Sequence, residues 1–89
     1  MYRSKVQTFS ELGEAVSARR RALGLKQGDV ARQAGLSQEF LSRFERGRAT
    51  DLGARKLLAV LSVLGMELVF FESGQSGGLD ELRKERSGE

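Results

Sequence analysis

Apolar residues fall into four stretches at helical spacing, followed by one at strand spacing. Leu12, Val16 and Leu23, with Ala15 beside them, form the stripe of a first helix. It begins at Thr8 or Ser10, carries Glu11 and Glu14 near its positive end, and stops at Gly24. The second helix, Gln27 to Ala34, turns Val30, Ala31 and Ala34 inward. Gly35 marks a sharp turn, and Leu36 is an apolar plug between helices. Ser37 then caps a third helix whose inner side is Leu41 and Phe44, with Phe40 adjacent, and Gly47 ends it. The opposite side carries Gln38, Glu39, Ser42, Arg43 and Arg46. After the loop 48–53, Thr50 or Asp51 is placed to cap a fourth helix. Its inner face is Ala54, Leu57, Leu58, Leu61 and Leu64, widened by Val60 and Val63, and Gly65 closes it.

The period then changes. Residues 66–72, Met-Glu-Leu-Val-Phe-Phe-Glu, are rich in β-formers and read as a strand, with a fifth helix as the competing reading. In a strand, Met66, Leu68 and Phe70 share one face, and Glu67, Val69 and Phe71 the other. One strand alone leaves its backbone donors and acceptors unpaired, so it calls for a second copy. The organisation is therefore an N-terminal arm over 1–7, a domain over 8–72 and a tail over 73–89. The tail opens on Ser73-Gly74-Gln75-Ser76-Gly77-Gly78, a linker composition. Leu79 to Arg86 has length for two helical turns, so it is either a disordered tail or a segment that orders on a partner.

Eighty-nine residues suffice for one small core. The chain has no Cys and no His, which excludes disulfides, the usual zinc sites and Cys- or His-based nucleophilic catalysis. No phosphate loop is present, and Glu11 and Glu14 are helix-start charges rather than an acid–base pair. The expectation is a protein that is not an enzyme and needs no cofactor or metal. No run of about 18 apolar residues occurs, and the first residues are too polar for a signal peptide, so a cytoplasmic location is expected.

The formal net charge of +3 is less informative than its distribution. Ten Lys and Arg face four Asp and Glu between Arg19 and Lys56, while the rest of the chain is net negative. Such a basic middle suits a polyanion. Gln38 and Arg43 are the side chains best suited to base edges, Gln toward adenine and Arg toward guanine. Lys26, Arg46 and Arg48 are placed to meet the phosphate backbone.

A short helix, a glycine turn and a second short helix form a helix-turn-helix layout. The run Leu25-Lys26-Gln27, Val30-Ala31, Ala34-Gly35-Leu36-Ser37, Leu41-Ser42 and Phe44-Glu45-Arg46-Gly47-Arg48 resembles the Cro/repressor-type (XRE) helix-turn-helix family. The resemblance spans Leu12 to Gly65. It implies a mostly α, lambda-repressor-like domain of four helices, here followed by one C-terminal strand. It also implies that Ser37, Gln38, Glu39, Ser42 and Arg43 meet base edges, and that Gln27 meets a phosphate. Glu39 fits only by accepting from a cytosine amino group or by pairing with Arg43 one turn on. The family further implies a structural pair between Arg20 and Glu45, with Arg19 and Arg21 open to structural or DNA roles.

A helix-turn-helix followed directly by Leu64-Gly65-Met66-Glu67-Leu68 is similar to HipB-like antitoxins. In that group the strands of two subunits pair, which would make Met66, Leu68, Val69, Phe70 and Phe71 the dimer contact, and the toxin partner is a HipA-type protein kinase. Three functions follow: an antitoxin that represses its own operon as a homodimer on double-stranded operator DNA, a stand-alone repressor, and an RNA- or ribosome-associated module. Phe40 and Phe44 lie on the core side rather than in the open for stacking, which disfavours the third.

Overall fold

Thr8, not Ser10, starts the first helix. In the computed structural model, which describes residues 5–49 and 51–72, its hydroxyl accepts from the Glu11 amide at 3.0 Å. The Glu11 carboxylate in turn accepts from the amides of Thr8 at 3.1 Å and Gln7 at 2.7 Å. This reciprocal box satisfies donors that a helix start leaves without partners. The helices are α1 (Phe9–Ala22), α2 (Gln27–Ala34), α3 (Gln38–Glu45) and α4 (Ala54–Val63). Parts of the arm, Thr50 and the tail 73–89 lie outside the described residues.

All four helices end in the same way. A glycine with positive φ follows each: Gly24, Gly35, Gly47 and Gly65, between 69° and 77°. At α1 the Gly24 amide donates to the Arg21 carbonyl and the Leu25 amide to that of Arg20, and the other three ends repeat this pairing. The residue after the glycine is thereby turned back onto the domain. Leu25, Leu36 and Met66 use this to pack against the core. Arg48 holds the same position after α3 and is exposed.

Val16 of α1, Val30, Ala31 and Ala34 of α2, Leu41 and Phe44 of α3, Val60 and Leu61 of α4, and Leu64 just after it make one buried cluster, joined by Ala49. α2 packs on α3 and α4, and α1 on α3. Three expectations change. Leu23 is exposed because the chain turns at Gly24 and sends Leu25 inward in its place. In α4, Val60 is fully buried while Leu58 and Ala54 are exposed, so the buried stripe is rotated from the expected face. The residue capping α4 is Gly53 rather than Asp51, and no side chain bonds to the helix start.

Residues 66–72 form neither a fifth helix nor, among the described residues, part of a sheet. The Met66 amide donates to the Leu61 carbonyl at 2.8 Å and its side chain lies on the core. Beyond it Leu68 and Val69 are exposed, and Phe70 and Phe71 are 90% and 76% exposed.

Gly13, in the middle of α1, is buried where that helix crosses α3. A methyl group there would collide with the Phe44 carbonyl oxygen and lie 3.1 Å from its carbonyl carbon. Ala ordinarily improves a helix interior by about 1 kcal/mol over Gly. Gly13→Ala should do the opposite, with overpacking of about 1–3 kcal/mol outweighing that gain. Denaturant unfolding checks it, and a rise in stability would show that the helices separate freely.

Candidate nucleic-acid interface

Arg20 projects from the last turn of α1 into the junction of three helices. Its Nε donates to Glu45 Oε2 at 2.7 Å and its Nη2 to Glu45 Oε1 at 2.8 Å, a two-pronged pair in a buried setting. Its remaining nitrogen donates to the Leu25 carbonyl at 2.9 Å. Gln27 Nε2 donates to Glu45 Oε1 at 2.9 Å. Burial alone would push the Glu45 carboxyl up. Hydrogen bonds from Arg20, Gln27 and Ser17, with the Arg20 charge, outweigh that and hold it below the ordinary glutamate range. The bond to Glu45 likewise holds the Arg20 guanidinium up, against the effect of burial. No buried side-chain nitrogen or oxygen among the described residues lacks a partner.

This network fixes how α3 sits. Ser37 caps it, its hydroxyl accepting from the Phe40 amide at 3.0 Å. Leu41, Phe44 and Glu45 face inward. Gln38, Glu39 and Arg43 face out, and Ser42 is half-buried beside them. Gln38 lies over Gly28, where an added Cβ would come within 3.2 Å of its Oε1, so the starts of α2 and α3 adjoin. Lys26, Gln27, Arg21, Arg32 and Gln38 line one open groove there. Arg46 and Arg48 sit exposed at the other end of α3.

Three side chains make contacts that bear on their expected roles. The Gln27 side-chain amide is spent on Glu45, and its backbone amide lies at the start of α2. Glu39 is not held by Arg43, whose guanidinium lies instead over the Phe40 ring at 5.5 Å from its centre. Arg19 has a structural bond: its Nε donates to the Leu64 carbonyl at 3.0 Å, tying α1 to the end of α4. Sequence reasoning missed the Gln27 and Arg19 contacts, because a long side chain's target across space leaves no trace in spacing. Gly13 did leave one, a lone glycine inside an otherwise regular helix.

Residues 16–71 match the model of a helix-turn-helix family. The chain belongs to that family, and its helix-turn-helix is of the Cro/repressor type. It is a DNA-binding transcription regulator. A search of curated proteins gives no match. No helix among the described residues is long and apolar enough to cross a membrane.

Removing Glu45 leaves Arg20 buried without its counter-charge. Glu45→Ala should therefore lower unfolding stability by about 3 kcal/mol or more, and a double-mutant cycle with Arg20→Ala should show coupling well above 1 kcal/mol. Because the folded carboxyl titrates below its unfolded value, its contribution is complete above the ordinary glutamate value of 4.5. It is lost as pH falls from there through the lowered folded value. Stability measured against pH should show an acid limb that is shallower in Glu45→Gln, and equal limbs would mean that Glu45 does not contribute.

Proposed function

We propose that the protein is a sequence-specific repressor that reads double-stranded operator DNA as a two-fold dimer, and that it acts as the antitoxin of a HipA/HipB-type module, repressing its own operon. The observation that carries the DNA reading is the outer side of α3. Among the described residues, no fold contact takes up the side-chain hydrogen-bonding groups of Gln38, Glu39, Ser42 or Arg43. The helix they stand on is fixed from behind by Leu41, Phe44 and the buried Glu45. A rigid helix with open polar groups is what major-groove reading requires. In this reading Gln38 and Arg43 meet base edges, with Ser37, Glu39 and Ser42 around them, and Lys26, Arg46, Arg48 and the Gln27 amide meet phosphates.

The dimer reading is supported by the apolar segment after α4. Leu68, Val69, Phe70 and Phe71 are exposed in one short run anchored at Met66. Such a run favours cover by a partner, and a copy of itself supplies an antiparallel one with matching register. Two subunits so joined would present two α3 helices to half-sites about 34 Å apart. The antitoxin reading adds the order of elements and Leu64-Gly65-Met66-Glu67-Leu68. Isolation from the native host tests it: a kinase-like protein that comes with this chain supports it, and its consistent absence leaves a stand-alone repressor of the same fold.

Arg43→Ala should lose roughly 1–3 kcal/mol on the selected operator and relax preference at one base per half-site. Arg46→Ala should weaken all duplexes alike and flatten the salt dependence. Titrations against single-base operator variants separate the two, and an unchanged base profile in Arg43→Ala would remove it from the reading surface. Val69→Pro should break the subunit contact, because it removes a ladder donor at the centre of the segment. Sedimentation at micromolar concentration should then show monomers, with specific operator binding lost. A Val69→Pro dimer that still binds its operator would place the contact elsewhere.

A further inference from the structure

We infer that Phe40 is a positioning residue for DNA contact, its ring holding Arg43 of α3 and Lys56 of α4 as a coupled pair, Arg43 for a base edge and Lys56 for a nearby backbone phosphate. This rests on the duplex-DNA reading above. It adds a contact residue, Lys56, that neither sequence pattern nor resemblance assigned, and a link between base and backbone contacts.

The geometry is specific. The Arg43 guanidinium carbon lies 5.5 Å and the Lys56 ammonium 5.9 Å from the Phe40 ring centre. Phe40 is half-buried and packs against the core, so the ring is a fixed platform rather than a loose side chain. Both cations are exposed, and among the described residues neither pairs with a carboxylate. The two positive charges thus both stand within about 6 Å of one ring centre. The fold gains little from holding like charges together, and the ring's negative face is what offsets their repulsion.

A polyanion removes that repulsion outright. A guanidinium lying on a ring keeps the donors along its edge free for a base, and an ammonium keeps its three donors for phosphate oxygens. Holding both long side chains in place beforehand spares part of the rotamer entropy lost on binding. Lys56 comes from α4, which packs chiefly on α2, so the ring also joins the recognition helix to an element beyond the helix-turn-helix unit.

The test uses the full chain and two duplexes of about 30 base pairs, long enough for two half-sites. One is recovered from a random pool by the wild-type protein, and the other is of mixed sequence. Lys56→Ala should reduce the slope of log affinity against log salt by about 0.9 per subunit, hence about 1.8 for the dimer, on both duplexes, with the base profile unchanged. Phe40→Leu, which keeps an apolar side chain, should lose about two- to fivefold in affinity for the selected duplex and in base discrimination at the Arg43 position. Phe40→Tyr, which keeps the ring, should restore both. A double-mutant cycle of Arg43→Ala with Lys56→Ala should show coupling in the wild-type background and none in the Phe40→Leu background. Melting temperatures are read for each variant, and the surface change Lys56→Ala carries the test if Phe40→Leu does not fold. An unchanged salt slope in Lys56→Ala, or equal or tighter binding by folded Phe40→Leu, overturns the inference while wild-type discrimination keeps the DNA reading intact. Absence of duplex preference in the wild type overturns both.

Discussion

One buried ion pair holds the working parts in register. Arg20 and Glu45 come from α1 and α3, Gln27 joins from α2, and the Leu25 carbonyl from the link between α1 and α2. A buried pair of this kind adds little net stability over a well-packed apolar substitute, because desolvation of both charges is expensive. Direction is its contribution. Two parallel hydrogen bonds fix the guanidinium in one plane, and the third and fourth partners fix that plane relative to two more segments. An apolar contact at the same place would permit small rotations of α3. For a helix that has to present side chains to a groove, rotation changes which residues face outward.

The division of labour along α3 follows from this. Its inner residues are committed to the core and to the ion pair. Its outer residues carry donors and acceptors that the fold leaves open. Flanking cations follow the same logic. Three of the four helix-ending turns spend the residue after the glycine on an apolar contact, whereas the turn after α3 carries the exposed Arg48. A position that elsewhere serves packing is there free to serve an external anion.

The helices were legible in the sequence because their ends are local. Thr8 with Glu11, Ser37, and the four glycines are signals within a few residues of where they act. The inner faces of α2 and α3 were legible because small or apolar residues alternate there with charged ones. α4 was not: Leu57, Leu58, Ala59, Val60 and Leu61 are all apolar, so two overlapping stripes fit the period and only packing on α2 chooses between them. Residues 66–72 have strand composition, but a strand needs a ladder partner, and among the described residues there is no second strand. At the candidate interface, the outward set on α3 was readable from periodicity. The uses of Gln27, Arg19 and Lys56 were not, since each reaches a residue distant in sequence.

The recognition helix begins and ends by its own means, with the Ser37 hydroxyl at one end and the Gly47 turn at the other. Neither seal uses the side chain of Gln38, Glu39 or Ser42. Substitution at these positions is therefore nearly decoupled from folding, and a lineage can drift to a new binding site by changing the outer surface alone. Arg43 is the restricted member of the set, because its ring partner also contacts α4. Divergence among duplicated copies of such a gene would then be fastest at the first two outward positions and slowest at the third turn-mate, with the glycine turns and the ion pair inherited unchanged.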